Sequence, residues 1–492
     1  MPLRLRFILD TNILIPLQDS FIKLQPNLAN FVRLAGVGGH QLLYHAASEA
    51  DILRDQNVDR RTRTLERLRQ YTLLESGPAC PWNNATTSAN DACDNEILYT
   101  LENSAAHALV TEDQEIHKKA KVRGLGDRVF YIQAAEDWLR RLHERAQIVL
   151  PRIQDIELHT LTTTLADPFF FSIRAGYPGF DAWFHRKAQE GRRAWLYRDS
   201  LNGPPEALCI YAIQHDEQIN EQGVVLSGPA LKLCTFKVGE LVRGRKIGEL
   251  FLKAAFRYAA DERCEHIFVH ADPGRHGQLI ALLEDFGFEL QGSYRGDSVY
   301  VKEHPHEPPP LLIDAFDYLR RYFPHYRSDE SIQKFLVPIQ PPFHQILFPD
   351  YGRPGAALPA AHPQTHVGNA MKLAYLCHAP TNKVRTGDIV LFYRTYDLKT
   401  ITTLGVVERY EISQSATEIA RLVSRRTVYS QLEIERMATR PTKVMLFRLV
   451  QHLTTPIAYT WLLKNRVISG PIQSVLRIDD ESFSRILHAA RG

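Results

Sequence analysis

Long apolar runs are missing from this sequence: no stretch of about 18 apolar residues occurs, and the start, MPLRLRFILD, goes straight into a strand-like segment. Neither a membrane span nor a signal peptide is therefore expected. Paired cysteines are missing too. The six cysteines (Cys80, Cys93, Cys209, Cys234, Cys264, Cys377) are scattered with no Cys-x-x-Cys spacing, which argues against structural zinc and for a reduced, cytoplasmic protein. There is no internal repeat and no long low-complexity tract, so a repeat array is not indicated. A strong overall charge is also lacking, and the net +3 alone says little about nucleic acid.

The distribution of charge says more. Residues 370–492 carry 18 Lys plus Arg against 10 Asp plus Glu, a balance of +8, which leaves −5 for the rest. Only the basic end suits a phosphate backbone. With 492 residues, 44% of them hydrophobic and 23% charged, the chain has an ordinary globular composition, and at roughly 150 residues per domain it should hold about three domains.

The first segment, RLRFILDTNILIPL over residues 4–17, reads as a buried strand that delivers Asp10 to its end, with Thr11 and Asn12 opening a turn. A helix from about Leu28 precedes HQLLYHAASEADILRD, where a strand passes into a helix with Ser48 as N-cap and Glu49 in the first turn. NDACDNEILYTLE reads as a helix with Asp91 and Asp94 near its start and Ile97, Leu98 and Leu101 facing inward. HALVTEDQEIHKKA then gives strand, turn and helix, with Asp113 at the strand's carboxyl end. In a parallel α/β sheet those ends form the ligand crevice. Four carboxylates gathered there need cations, and oxygen donors suit Mg²⁺ or Mn²⁺, which can activate water for phosphodiester cleavage.

In order and surroundings these acids resemble the PIN-domain family of metal-dependent ribonucleases: FILDTNILIPL is similar to its opening strand, SEAD supplies its glutamate, DNEIL its third acid and ALVTEDQEI its last strand end. The resemblance implies metal-binding and catalytic roles for Asp10, Glu49, Asp94 and Asp113, with Asn12 and Thr111 supporting. Asp91 is the alternative for the third position. Taken singly, Glu49 and Asp94 read equally well as helix N-terminal charges favoured by the dipole.

From residue 151 the composition turns aromatic. Strands RRAWLYRD, ALCIYAIQ and ALKLCTFKV lead to GELVRGRKIGELFLKAAFRYAAD, then to strand EHIFVHAD, helix QLIALLEDF and GFEL. A strand followed by a Gly- and Arg-containing turn and a long helix suits a phosphate. This stretch resembles the GNAT acetyltransferase family. The resemblance implies that Arg243, Gly244, Arg245, Lys246, Ile247 and Gly248 hold the pyrophosphate of acetyl-CoA, although Lys246 stands where the family usually has glycine. Leu283 and His276 replace the family's usual tyrosine and asparagine. Glu240, Tyr294 and His270 are substitute acid or base candidates, and His270 reads best as a core strand histidine.

A Pro-rich linker, EHPHEPPPLL, and a helix, IDAFDYLRRYF, precede the last domain, whose short strands KLAYLCH, GDIVLFYRT, ITTLGVVERYEI and KVMLFRLV argue a small barrel. GDIVLFYRT with TLGVVERYEI, and the tail WLLKNRVISGPIQSVLRIDDESFSRIL, resemble the PUA-like superfamily with its ASCH and EVE branches. Such domains bind RNA or modified bases, and Tyr393, Arg394, Trp461, Asn465, Arg466 and Gln473 are the pocket candidates. Core packing explains most of these aromatics equally well.

The expected protein is thus an α/β multidomain chain: a PIN-like parallel α/β sheet over 1–150, a GNAT α/β fold over 151–304, a linker with helix over 305–336, and a PUA-like β-barrel over 337–492. It is expected to be a cytoplasmic endoribonuclease acting on RNA, or on DNA with modified bases, without a membrane partner. The middle domain would acylate a substrate or sense acyl-CoA. PIN domains often dimerise, so the resemblance allows a homodimer without the sequence determining the oligomeric state, and analogy with toxin and phage-defence systems suggests a toxin, stress or defence role. The rival readings are an RNA or protein acetyltransferase with the first domain as platform, and a non-enzymatic RNA-binding scaffold.

Overall fold

The computed structural model describes residues 3–18, 24–75, 77–86, 88–144, 152–200, 203–239, 242, 246–352, 365–367, 370–426 and 429–491. It is a mixed α/β chain with three sheets, divided into two compact units. One comprises Met1–Gln147, Leu376–His378 and Ile412–Val444; the other comprises Ile148–Tyr375, Ala379–Glu411 and Met445–Gly492. Among the described residues no helix is long and apolar enough to cross a membrane.

The first unit is built on a five-stranded sheet of Arg6–Leu9 (β1), Gln41–His45 (β2), Thr72–Leu74 (β3), Ala108–Val110 (β4) and Val129–Phe130 (β5), in the order β3-β2-β1-β4-β5. Every pairing is parallel, and helices follow the strands, which is why β1 and β4 are almost wholly apolar and buried. The opening segment departs from the expected single strand. β1 stops at Leu9 and a helix, Thr11–Gln18, takes the rest of the apolar run, because a short apolar segment has no periodicity that separates strand from buried helix. Ser48 is not the cap of Ala46–Leu53 either. His45 caps it, with Nδ1 accepting from Ala47 N at 3.1 Å, and Ser48 lies buried inside the helix. Helix Ala89–Glu102 is capped by Ser88 and buries Ile97, Leu98 and Leu101 as expected. From the later segment, Arg421 Nη1 donates to Asp127 at 2.8 Å and Arg425 Nη2 to the Val129 carbonyl at 2.7 Å.

The second unit holds an eight-stranded sheet of Arg152–Glu157 (β6), Arg193–Tyr197 (β7), Ala207–His215 (β8), Pro229–Val238 (β9), His266–Ala271 (β10), Glu289–Tyr294 (β11), Asp297–Glu303 (β12) and Thr365–Val367 (β14), with Lys334–Ile339 (β13) intervening in the chain. The order is β11-β12-β10-β9-β8-β7-β6-β14, antiparallel throughout except for β9 beside β10. Helix Ile247–Asp261 packs its Leu250, Phe251 and Ala255 on one face, against Ile267 and Val269.

The third sheet orders Lys372–Cys377 (β15), Ile389–Arg394 (β16), Thr400–Ser413 (β17), Thr442–Ala458 (β18) and Leu476–Ile478 (β19) with β13 as β15-β18-β17-β16-β13-β19. β13 runs parallel to β16 and antiparallel to β19. A bulge at Thr402 shifts the register of β16 on β17, from Phe392 opposite Thr403 to Tyr393 opposite Ile401. Beyond β17 the chain forms helices Ala416–Val423 and Gln431–Met437 before β18.

Candidate functional site

β1 and β4 are neighbours, and the residues just past their carboxyl ends form an acidic cluster. Asp10 N donates to the Val110 carbonyl at 3.1 Å, which fixes the residue where β1 ends. The Asp10 side chain is only 5% exposed. Its Oδ1 accepts from Thr11 N at 2.7 Å, and its Oδ2 from Asn12 Nδ2 at 2.7 Å and from Thr111 Oγ1 at 2.6 Å. Burial pushes this carboxyl up to about 6, against the bonds from Thr111 and Thr11 and with help from the charges of Asp94 and Asp113. Asn12 and Thr111, expected as supporting residues, are thus the clamps of Asp10. Thr111 Oγ1 also accepts from Asp113 N at 3.0 Å, and Asn12 Oδ1 from Glu112 N at 3.1 Å.

The remaining acids are engaged in other ways. Asp113 caps helix Gln114–Val122, its Oδ1 accepting from Glu115 N at 2.7 Å. Asp94 accepts from Lys119 Nζ at 2.8 Å, and the same ammonium pairs with Asp91. Burial raises the Asp94 carboxyl, Lys119 opposes the rise, and Asp113 and Asp91 add to it. Glu49 sits half-exposed in the first turn of its helix, where its charge, after burial, helps raise the Tyr44 hydroxyl.

Asp10, Asp94 and Asp113 therefore share one electrostatic neighbourhood. Yet among the described residues no three His, Cys, Asp or Glu side chains are gathered as the ligands of a metal. Asp10, Asp91, Asp94 and Asp113 each spend carboxylate oxygens on protein donors, one of them the Lys119 ammonium. The donor set has the oxygen chemistry of a Mg²⁺ or Mn²⁺ site but not its arrangement, which departs from the expectation that Asp10, Glu49, Asp94 and Asp113 assemble as metal ligands.

In the second unit, β9 pairs with β8 along its whole length but with β10 only from Ala230 to Leu233. A bulge falls at the parting: β8 passes from Ile210 opposite Thr235 to Tyr211 opposite Leu233, so that Cys234 is the extra residue. Beyond it β9 runs on to Val238 without a register to β10, so the two parallel strands part on the strand that precedes helix Ile247–Asp261 in the chain.

Of the expected phosphate loop, Arg243, Gly244 and Arg245 lie outside the described residues, as does Glu240. Lys246 is the helix N-cap and is left-handed, with φ 62°, which explains why glycine suits the position. Its Nζ lies 3.3 Å from Glu249 Oε1, a buried carboxylate whose Oε2 accepts from Met371 N at 3.1 Å. Ile247 is in the core. A Cβ at Gly248 would stand 2.9 Å from Leu282 Cδ2, so this glycine lets two helices touch. Leu283 is wholly buried. His276 accepts from Asp272 N through Nδ1 at 3.0 Å, and burial lowers its pKa. Tyr294 and Phe268 pack against His270, which burial holds down at about 4. His270 is half-buried, on the strand face opposite Ile267 and Val269.

Of the base-pocket candidates, Tyr393 is buried in the core and Trp461 packs half-buried against it. Arg394 Nε donates to Asp397 Oδ1 at 2.9 Å, and Asn465 Nδ2 to the Trp461 carbonyl at 2.9 Å. Arg466 and Gln473 are exposed. Sequence reasoning missed the buried polar chain beside them. Asp350 Oδ2 pairs with Lys253 at 3.2 Å and its Oδ1 with His452 Nε2 at 3.2 Å; His452 Nδ1 meets Thr403 Oγ1 at 2.9 Å. Thr403 Oγ1 is 3.2 Å from Thr402 Oγ1, which is 2.8 Å from His344 Nε2. The Thr402 bulge makes this chain, because adjacent strand residues otherwise face opposite ways. Lys119 was missed as well, since only the packing of two helices brings it to Asp91 and Asp94.

No family model matches the chain, and no curated protein matches it in sequence. Solved structures resemble parts of it. An ASCH structure from Zymomonas mobilis is 14% identical, with 32% of this chain and 94% of that one covered at a TM-score of 0.24. A histone acetyltransferase HPA2 and related acetyltransferase from Corynebacterium glutamicum is 17% identical over 33% of this chain and 100% of that one, at 0.24. The PaiA N-acetyltransferase from Thermoplasma acidophilum, in complex with coenzyme A, is 13% identical over 31% and 99%, at 0.23. TM-scores this low carry no argument about this chain.

Proposed function

We propose that residues 151–304 form a GNAT-like domain that binds acyl-CoA between β9 and β10 and passes the acyl group to an acceptor. The observation that carries this reading is the parting of the two parallel strands at the Cys234 bulge, on the strand that precedes the helix capped by Lys246. A pantetheine arm can lie along the free edge of β9 and be held by main-chain groups, while the pyrophosphate meets the N-terminus of Ile247–Asp261 and the ammonium of Lys246. Attack of an acceptor amine or hydroxyl on the thioester carbonyl forms the new C–N or C–O bond, breaks the C–S bond and releases a thiolate, which takes up the proton the acceptor gives away. Leu283 offers that thiolate no proton, but a thiol needs less help to leave than an alcohol because its pKa is lower. Calorimetry with CoA and acetyl-CoA tests the reading. Binding that weakens about tenfold in Lys246→Glu is expected, and no heat at millimolar ligand would remove the proposal. Labelled acetyl-CoA with RNA and protein acceptors then identifies the substrate class.

A second reading places a PIN-like, metal-dependent ribonuclease over residues 1–150. It is favoured by Asp10, Asp94 and Asp113 acting on one another beside the ends of a parallel sheet. Because the acids do not fit a metal as they stand, no hydrolytic step is derived. RNA cleavage in Mn²⁺ that survives Asp10→Asn would dismiss this reading. Under either, residues 337–492 serve as a PUA-like, RNA-reading part, with Arg466 and Gln473 as its exposed candidates and 305–336 as the connection. Free thiols at all six cysteines suit a reducing, cytoplasmic setting.

A further inference from the structure

The segment from Phe169 to Tyr177 joins the two sides of the place where β9 and β10 part. Lys237 lies on the run of β9 that β10 does not follow. Its Nζ donates to the Phe169 carbonyl and, at 2.5 Å, to Ser172 Oγ. At the other end of the segment, the Tyr177 hydroxyl donates to Asp297 Oδ2 at 3.0 Å. Asp297 opens β12 and precedes Ser298, which pairs with Ala271, the last residue of β10. A Cβ at Gly176 would run into Arg275, in the turn that follows β10. Had the register of Ala230 with His266 continued, Lys237 would stand level with Pro273, between those contacts. The segment therefore crosses the parting at its open end. It does so on the face opposite the long helix, because Phe236 meets Phe251 of that helix at 5.5 Å between rings, while the next residue, Lys237, turns to the Phe169 ring.

The base of this segment is firm and its outer part is not. Phe170 and Phe180 are buried and stack with ring centroids 6.1 Å apart, so residues 171–179 form a loop whose two ends are pinned together in the core. Between them, helix Phe171–Gly176 buries none of its residues, and Phe171 is 57% exposed. Among the contacts described, the loop is fastened to the β10 side by the Tyr177–Asp297 bond and by the packing of Arg275, itself largely exposed. A stretch with so little buried surface opens far more easily than the sheet beneath it.

We propose that residues 171–179 are a flap over the parted end of β9 and β10, latched by Tyr177 on Asp297. The flap lifts to admit the pantetheine arm of an acyl-CoA and closes to retain it. This inference rests on the acyl-CoA reading above and adds to it the bond that sets how long the ligand stays.

The test is hydrogen exchange of the full chain read by mass spectrometry, with and without CoA, together with CoA binding and release rates by surface plasmon resonance. Tyr177→Phe removes the hydroxyl and keeps the ring; Asp297→Ala removes the acceptor. In each, amides of 171–179 are expected to exchange about tenfold faster than in the parent, the scale of one hydrogen bond to a charged group. CoA should leave about tenfold sooner, and exchange elsewhere should not change. The double variant should go no further than either single one, and CoA should slow exchange of the flap in the parent. If Asp297→Ala loosens the whole fold, seen as faster exchange throughout, Tyr177→Phe carries the comparison. Equal flap exchange in parent and variants would overturn the latch. A faster flap that CoA does not protect, with CoA released at the parent's rate, would overturn the gate and leave the acyl-CoA reading standing. A parent that binds no CoA would overturn both.

Discussion

Nε2 of His40 and Nε2 of His143 lie 2.8 Å apart. Since His40 Nδ1 accepts from Leu5 N at 3.1 Å, the neutral His40 ring carries its proton on Nε2 and donates it to His143. A Cβ at Gly38 would run into both rings, so the glycine there is what lets them meet.

The pair makes the first unit sensitive to acid. Burial, then the neighbouring His143 and His107, holds His40 down at about 4, and burial lowers His143 too. A base with a depressed folded pKa favours the folded state above its unfolded value of about 6.5 and loses that contribution as pH falls toward the folded value. For His40 the full effect is about 3 kcal/mol. Melting temperatures of parent and His40→Gln, measured between pH 7 and pH 4, should therefore converge on acidification. Parallel curves would rule out this coupling.

Lys246 occupies a left-handed conformation with φ 62°. Lys246→Gly and Lys246→Ala both lose the ion pair with Glu249, but only glycine relieves the backbone. Urea unfolding should find the glycine variant more stable than the alanine variant by about 1 kcal/mol. Equal midpoints would mean that the strain is absent.

Thr403, itself fully buried, supplies the hydroxyl that His452 Nδ1 meets at 2.9 Å. Thr403→Val keeps the shape and removes the partner, which should cost about 1–3 kcal/mol. Thr403→Ser, which keeps the hydroxyl, should recover most of the hydrogen-bond contribution. Chemical denaturation of the two variants gives the comparison directly.

Arg448 is a wholly buried guanidinium. It lies 3.3 Å from Asp285 and 3.4 Å from Glu408, over the rings of Phe286 and Phe316. Arg448→Met retains bulk but leaves Asp285 with Lys372 alone among the ion pairs described and Glu408 without its guanidinium. The expected loss is about 3 kcal/mol, and a urea midpoint within error of the parent would contradict it.

Much of the scaffold could be read in advance because burial leaves a signature. Ile97, Leu98 and Leu101 share one helical face and are buried, and Asp10 does stand where an apolar strand ends. The misses have physical causes. Strand β13 was hidden by Pro338, which a central strand rarely tolerates; here β19 pairs β13 only through Leu336, so the missing N–H falls beyond that partner. Residues 416–437, about which the strand pattern on either side says nothing, form two helices capped by Ser415 and Ser430. In the candidate site the acids were visible by order and type. Lys119 was not, because neither spacing nor composition tells which lysine a neighbouring helix will present.

The first unit takes in residues 412–444 along with the N-terminal segment. Asp127 and the Val129 carbonyl wait for Arg421 and Arg425, and Leu3 N for Glu435. During synthesis at roughly 5–20 residues per second, the ribosome must therefore work for on the order of 15 to 60 s after the five-stranded sheet emerges before that unit can be completed. A nascent chain arrested before residue 412 would hold the acidic cluster in an unfinished body. Completion of the body that carries the cluster is thereby tied to having translated nearly the whole protein.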